Sequence, residues 1–238
     1  LVQTKQISSA RRAAFDILRE VDAGAFSSIL LAAEEPKLKP VDRALTHELV
    51  LGVLRWQLWL DKLIEHFTKR SIESLDLAVR LSLRLGLYQL RFLTRVPASA
   101  AVNESVNLVR SAKVSSAAAF ANAVLRRAIR EAGYDPSAEL SDPIEKLAIE
   151  TSHPAWLVQR WVEAFGREEA EAFARANNLM PPTAFRIVDR DSTETLDRLR
   201  NGGGILETSR VAEDAWRISG ASALVRQLAD EGKIYLQD

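Results

Sequence analysis

Residues 75–93, LDLAVRLSLRLGLYQLRFL, constrain the fold more than any other stretch of this sequence. Apolar side chains occur on most sides of a helix built from them, whereas a surface helix carries a single apolar stripe. Such a helix has to be enclosed by other helices. The sequence therefore predicts a helical bundle with this segment near its centre.

The segment 8–22 predicts an amphipathic helix for the outside of this bundle. Its apolar residues recur at i, i+3, i+4, i+7, i+8 and i+11 and therefore share one face. Arg11, Arg12 and Arg19 fall off that face, so we expect their side chains to lie in water.

Three later segments complete the expected bundle. Residues 41–67 keep helical spacing as one region, in which Gly52 suggests a close helix crossing. VPASAAVNESVNLVR opens another helix after Pro97, and SSAAAFANAVLRRAIREAG forms the last helix, which Gly133 ends. Residues 1–133 are therefore predicted to be an all-helical domain.

After residue 133 the sequence pattern changes twice, first at a linker and then at an α+β segment. YDPSAELSDP, residues 134–143, is rich in proline and cap-forming residues and is interpreted as a linker. Residues 144–180 predict a helical connector. Residues 181–238 then follow the order strand, helix, strand, strand, helix, strand, the ferredoxin-like pattern that RNA-recognition modules also use. The expected fold class is multi-domain and mainly α, with a small α+β subdomain at the end.

Composition narrows the chemistry that is expected. No apolar run approaches the roughly 18 residues of a membrane span, and the sequence opens without an apolar secretory segment. We therefore expect a cytoplasmic protein that has no membrane partner. The sequence contains no cysteine, and its three histidines share no ligand-spaced partner. No catalytic, cofactor-binding or metal-ligating residue is predicted.

Charge is distributed unevenly, although 32 Lys and Arg balance 32 Asp and Glu. Residues 1–133 hold 20 basic and 13 acidic residues, whereas residues 134–238 hold 12 and 19. The asymmetry suggests that the first half meets a polyanion. Charge scattered over the surface for solubility would give the same counts.

Arginines are the main candidate contacts, because guanidinium groups bind phosphate through bidentate, permanently charged hydrogen bonds. The candidate binding residues are Arg11, Arg12, Lys113, Arg126, Arg127 and Arg130. Each of them could equally solvate a helix surface or pair with a carboxylate such as that of Asp16, Glu20 or Glu104.

Aromatic side chains offer a second kind of contact, since tryptophan can stack on a nucleobase. Helical spacing among aliphatic residues instead favours a place in the core for all five tryptophans. They are Trp56, Trp59, Trp156, Trp161 and Trp216.

Several ordered blocks resemble a known family. DRALTHELVLGVLRW, LRLGLYQL, VPASAAVNESVNLVR and FANAVLRRAIR are similar to the NusB-type RNA-binding helical domain. SHPAWLVQRWVEAFG, NNLMPP and FRIV resemble the segment that follows this domain in the Sun/RsmB family. Those proteins use S-adenosylmethionine to make 5-methylcytosine in small-subunit (16S) ribosomal RNA.

The resemblance implies substrate recognition without catalysis. In the family a methyltransferase domain follows, and Gly232, Gln237 and Asp238 match the opening of its catalytic segment before the sequence ends. The family's cysteine nucleophile and glycine-rich cofactor loop are absent from the sequence. An inactive fragment without a cofactor of its own is therefore expected, with ribosomal RNA and a missing C-terminal methyltransferase domain as partners.

The resemblance also assigns roles to individual residues. The family's RNA-binding arginines fall on Arg11 and Arg12. Its NE and FxNAVLR elements fall on Asn103, Glu104, Phe120, Asn122 and Arg126. Asn103, Glu104 and Asn122 could contact RNA, as the resemblance implies, or be buried residues that join helices. We favour the second role, because a polar group between packed helices needs a partner.

Two other functions fit parts of the same sequence. A NusB-type transcription antitermination factor would bind RNA together with a ribosomal protein, but such a protein ends after its helical domain. A helical protein-interaction module would have no nucleic-acid role.

Overall fold

The computed structural model describes residues 7–188, 192–209, 212 and 214–237. The chain divides into two compact units, Leu1–Asn178 and Leu179–Asp238. The described residues are mainly helical and contain one four-stranded sheet in the second unit, which confirms the expected fold class. Asp238, which was matched to a catalytic opening, lies outside the described residues.

The first unit is helical throughout its described part. Its α-helices are α1 Ser9–Asp22, α2 Ser27–Glu34, α3 Pro40–Arg55, α4 Gln57–Thr68, α5 Leu77–Phe92, α6 Ala98–Ser111, α7 Ala118–Arg130, α8 Pro143–Glu150, α9 Ala155–Phe165 and α10 Arg167–Asn177. The single region expected over 41–67 divides into α3 and α4, because Trp56 has φ −102° and ψ 18° and leaves the helical conformation. The short helix α2 was not predicted.

Helix α5 lies at the centre of the first unit, as its sequence predicts. Every residue from Leu81 to Gln89 is buried, and α5 packs against α1, α3, α4, α6 and α7. Gly52 of α3 faces the ring of Tyr88, and a methyl group at this glycine would overlap that ring. The close crossing expected at Gly52 is therefore confirmed.

Residues 134–178 pack within the first unit. The ring of Tyr134 stacks on His66 with centroids 3.6 Å apart, and Ser137 is buried. The Oγ of Ser152 accepts hydrogen bonds from the backbone N–H groups of Leu58 (3.1 Å) and Trp59 (3.4 Å). The finer division of this unit into domain, linker and connector stays a prediction.

The second unit has the ferredoxin-like order that its sequence predicts. Its elements are β1 Thr183–Ile187, α11 Ser192–Asn201, β2 Ile205–Thr208, β3 Ala215–Ser219, α12 Ser222–Asp230 and β4 Ile234–Gln237. The sheet order is β2-β3-β1-β4 with antiparallel pairing throughout. Leucines of both helices pack with Phe185, Ile218 and Ile234, so the helices cover one face of the sheet.

Candidate nucleic-acid interface

Arg11 is buried inside the first unit, with only 7% of its surface exposed. Its Nη1 lies 3.0 Å from Oε1 of Glu104 on α6, and its Nε donates a 2.6 Å hydrogen bond to Oε1 of Gln89 on α5. Nη1 also donates to the hydroxyl of Ser8 at 3.0 Å. The expectation that Arg11 lies in water is wrong, because this guanidinium joins α1, α5 and α6.

The three polar residues expected to join helices have different environments. Glu104 does join helices, since its Oε2 also accepts the backbone N–H (2.9 Å) and the hydroxyl (2.7 Å) of Ser8. Asn103 is exposed, so the expectation of burial is wrong there. Asn122 is half-buried, and its Oδ1 accepts a 3.2 Å hydrogen bond from Nε of Arg126 within the same helix.

Arg12 lies one position further along α1 and lines a groove of about 600 Å³ between α1 and α2. Three carboxylates, those of Asp16, Glu20 and Glu34, share this groove with Arg12 and Lys37. Among the described residues, no hydrogen bond or ion pair holds the side chain of Arg12, whose backbone N–H donates to the carbonyl of Ser8. The groove therefore presents mixed charge and not a basic surface.

Helix α7 carries the clearest exposed cations. Arg126 and Arg130 are four residues apart, so they lie on the same side of the helix, and both are exposed. We call this pair the α7 stripe. Within the described part of the chain, Arg126 bonds only the neutral amide of Asn122, and Arg130 has no bonded partner. Both positive charges are thus left without a carboxylate partner.

Arg127, between them in sequence, faces a different direction. Its Nε donates to Oε1 of Glu131 at 2.7 Å, its Nη1 donates to the carbonyl of Phe67 at 3.1 Å, and the guanidinium carbon lies 5.7 Å from the Phe67 ring centroid. The hydrogen bonds from Arg127 and then from His66 hold the pKa of the Glu131 carboxyl below its ordinary value. Arg127 is therefore committed to contacts between α4 and α7.

Lys113 lies in the turn between α6 and α7. Its side chain is exposed, and its backbone has a left-handed φ of 64°. The residue stands before the first turn of α7, at the end opposite Arg130. Of the six predicted contacts, the structure thus groups Arg126 with Arg130, leaves Lys113 exposed and uses Arg11 and Arg127 internally.

An aromatic cavity of about 590 Å³ lies beyond the C-terminal end of α7. It is lined by Trp56, Trp59, Arg91, Phe92, Ala132, Tyr134, Asp135, Glu150 and Arg175. Trp56 stacks on Phe92 with centroids 5.0 Å apart, and Trp59 meets Phe92 edge-on at 5.5 Å. Sequence reasoning missed this cavity, although it identified both tryptophans as possible stacking residues.

The tryptophans are less buried than predicted. Trp56, Trp59, Trp161 and Trp216 are half-buried, and Trp156 on α9 is 63% exposed. The prediction of a core position for Trp156 is wrong. Val158 of the same helix is buried instead, in a small apolar cluster with Leu147 and Ala148.

The face of the sheet opposite α11 and α12 carries polar and aromatic side chains. Strand residues alternate between faces, so Arg186 points away from the helices that cover Phe185. Arg186 lies directly opposite Tyr235, which is 65% exposed, and Arg217 lies opposite Glu207 and Ala184. This open face combines two guanidinium groups and the carboxylate of Glu207 with one exposed aromatic ring.

The described residues also bear on metal binding and membrane insertion. Throughout the described ranges, no group of three or more His, Asp or Glu side chains could hold a metal ion. None of the helices in the described part of the chain is long and apolar enough to cross a membrane.

Comparison with protein families gives two matches. The sequence model of the NusB family matches residues 8–130, which is slightly more than half of the chain. A model described as the RsmF/B-like methyltransferase ferredoxin-like domain matches residues 153–225.

Comparison with curated proteins and solved structures gives matches over longer stretches. The probable ribosomal RNA small subunit methyltransferase B of Bacillus subtilis is 32% identical over 97% of this chain and 52% of its own length. Ribosomal RNA small subunit methyltransferase B of Pseudomonas putida is 40% identical over 66% of this chain and 35% of its own length. The chain thus spans about half or less of these relatives. The crystal structure of PH0851 shares the fold, with a TM-score of 0.69 and 18% identity over 96% of this chain and 52% of that one.

Proposed function

The chain belongs to the NusB family, and we propose that it is the RNA-recognising part of a cytoplasmic methyltransferase of small-subunit ribosomal RNA. The names of the two relatives support this substrate class, and the match over residues 153–225 supports a methyltransferase over an antitermination factor. Those relatives are about twice as long as this chain. The activity of such a whole protein is part of the proposal.

The α7 stripe is the observation that carries this proposal. Arg126 and Arg130 are exposed, four residues apart and not neutralised by a carboxylate, so their guanidinium groups are available to successive phosphates. Lys113 and Arg12 add exposed or half-exposed charge elsewhere on the same unit. Arg11 and Arg127 support the interface indirectly in this proposal, because they hold α1 and α7 in place.

Phosphate contacts position an RNA but do not read its sequence. We therefore assign only affinity and orientation to the α7 stripe. The open face of the sheet would add contacts to a single strand, since a nucleobase can stack on Tyr235 while Arg186 and Arg217 meet phosphates.

Methyl transfer itself is assigned to other residues. The resemblance implies a cysteine thiolate and bound S-adenosylmethionine, and these 238 residues include no cysteine. We propose that both are supplied by the part of such a protein that lies outside this match.

The test is a binding titration by fluorescence anisotropy with a labelled hairpin of small-subunit ribosomal RNA. The variant Arg126→Gln with Arg130→Gln should bind more weakly. Its slope of log affinity against log salt should fall by about two, because two phosphate contacts are lost. Arg160→Gln with Arg167→Gln is the matched control, since both residues are exposed and the charge change is equal.

The outcome separates the competing functions. Equal salt slopes for the stripe variant and the control would contradict the phosphate role of α7. Absence of binding to RNA and to DNA of equal length would favour a protein-interaction module. A further variant, Arg186→Ala with Tyr235→Ala, should weaken binding to single-stranded RNA more than to a closed duplex.

A further inference from the structure

The aromatic cavity is built from segments that are distant in sequence. Trp56 and Trp59 flank the break between α3 and α4, Phe92 ends α5, and Tyr134 follows α7. The rings of Trp56, Trp59 and Phe92 contact one another in stacked and edge-on pairs. These half-buried rings therefore form one continuous aromatic wall that remains accessible from the cavity.

Arg91 contributes a hydrogen-bond donor that is not used. Its Nη2 donates to the carbonyl of Glu131 at 3.1 Å, while its buried Nε has no partner within the described structure. This Nε has almost no accessible surface, so a ligand in the cavity does not reach it. Nη1 makes no hydrogen bond within the described structure either and is not buried, so it can donate to a ligand acceptor in the cavity that Arg91 lines.

Arg175 contributes a flat surface. Its guanidinium is held by Oε2 of Glu150 and Oε1 of Glu171, both at 2.8 Å. A guanidinium whose N–H groups are occupied by carboxylates still offers its face, and planar rings stack on such faces. Aromatic side chains and Arg175 together favour a planar guest.

The charges of the lining exclude an anionic guest. Arg91 and Arg175 are balanced by Asp135 and Glu150, and the C-terminal end of α7 adds partial negative charge. A phosphate would meet as many carboxylates as guanidinium groups there, so it would gain no net electrostatic attraction. A neutral ring that carries both donors and acceptors can bond Arg91 and a carboxylate at the same time.

The cavity also continues the α7 stripe. Ala132 and Tyr134, two of its lining residues, follow Arg130 in sequence at the end of the same helix. The α7 stripe and the cavity therefore belong to neighbouring parts of the chain within the first unit. The volume of about 590 Å³ lies in the range of small-ligand sites, roughly 300–1,000 Å³.

From these observations we infer that the cavity lined by α4, α5, α8, α10 and the segment after α7 receives one unstacked nucleobase of the bound RNA. The inference rests on the proposed RNA-binding function and adds a site of base recognition to it. Trp59 supplies the stacking surface, because Trp56 and Tyr88 already stack on Phe92. Arg91 donates to the base, and Glu150 or Asp135 accepts from it.

The direct test uses a nucleoside without any phosphate. Adenosine is titrated into the full chain while the five tryptophan indole N–H signals are followed by 1H–15N NMR. The signals of Trp56 and Trp59 should shift, whereas that of exposed Trp156 should not, and inorganic phosphate should leave all three unmoved. Trp59→Leu should weaken adenosine binding about tenfold, because stacking on one ring is lost. Trp156→Leu is the matched control and should bind as the unaltered chain does.

A second measurement asks whether RNA uses the cavity. Single-stranded RNA oligomers with one abasic nucleotide at successive positions keep every phosphate but lack one base. The unaltered chain should bind one such oligomer about tenfold less tightly than the intact RNA, and Trp59→Leu should abolish that difference. Circular dichroism of Trp59→Leu checks that the variant is folded.

The results distinguish failure of this inference from failure of the proposed function. The inference is overturned if adenosine leaves Trp56 and Trp59 unmoved, if all five indole signals move alike, or if Trp59→Leu binds every oligomer normally. In each of these cases the salt slope of the α7 stripe would still support RNA binding. Failure of the proposed function would instead appear as an absence of salt-dependent RNA binding by the unaltered chain.

Discussion

Glu104→Ala should destabilise the first unit strongly, although Glu104 lies on α6 and the cation that it neutralises lies on α1. The substitution removes the carboxylate 3.0 Å from Nη1 of Arg11. It also removes the acceptor of two hydrogen bonds from Ser8, at 2.9 and 2.7 Å. Gln89 remains, but it offers a neutral oxygen to a buried positive charge.

The magnitude follows from burial. The side chain of Arg11 is 9% exposed and that of Glu104 is 19% exposed. Removing one member of a buried pair costs about 3–5 kcal/mol, because the other charge stays desolvated and unpaired. Since Glu104 retains some contact with water, we expect the lower end, about 3 kcal/mol. Glu104→Gln keeps an acceptor of the same size and should cost about 1–2 kcal/mol.

Urea unfolding followed by far-UV circular dichroism measures these differences. With a slope of about 2–3 kcal/mol per molar urea, the midpoint for Glu104→Ala should fall by about 1 M. The double variant Arg11→Met with Glu104→Leu is the informative companion. It removes both charges and keeps apolar volume, so it should be far more stable than Glu104→Ala.

Two results would refute this reasoning. A change of less than about 0.5 kcal/mol for Glu104→Ala would mean that Arg11 finds water or another acceptor. A double variant as unstable as Glu104→Ala would mean that lost packing is responsible, and not the unpaired charge. A thermodynamic cycle with Arg11→Met alone separates the two contributions.

Two further predictions concern single side chains in the first unit. Gly52→Ala should lower the free energy of unfolding by about 3 kcal/mol in thermal unfolding, because its methyl group would overlap the Tyr88 ring and packed cores accommodate extra atoms poorly. Gly133→Ala is the control, since a methyl group there meets no atom within 4 Å. Burial lowers the pKa of His153, although the nearby backbone of Thr151 acts in the opposite direction. The neutral imidazole is therefore favoured in the folded state. Its contribution to the free energy of unfolding is complete above the unfolded pKa of about 6.5 and is lost as the pH falls through the lower pKa of the folded state. The urea midpoint should thus fall more steeply below pH 6.5 in the unaltered chain than in His153→Gln, and parallel curves would contradict the assignment.

The sequence predicts elements of this fold wherever the pattern is local. Helices α1, α5, α6 and α7 follow from apolar spacing within each segment, and the ferredoxin-like order follows from the alternation of strand and helix patterns. The break at Trp56 could not be read in this way, because apolar spacing continues across it from α3 into α4. Helix α2 has only eight residues, too few for a clear period.

Arg11 shows why the candidate site was harder to predict than the fold. Arg11 and Arg12 are consecutive arginines between two alanines. The local sequence therefore gives no reason to expect one to be buried and the other not. Only the tertiary structure brings Gln89 and Glu104, distant in sequence, against one of them. The aromatic cavity needs four distant segments in the same way, and no spacing within one segment could reveal it.

The complete burial of α5 has a consequence for how the first unit opens. Its residues from Leu81 to Gln89 contact five other helices, so no local fluctuation can expose their amides to solvent. Hydrogen exchange at these amides requires the whole unit to unfold, and its rate reports the global free energy of unfolding. The amides of helix α9, whose buried Val158 belongs to a small apolar cluster outside that core, can exchange through partial opening. Helix α5 is therefore the cooperative centre on which the shape of the surrounding helices depends.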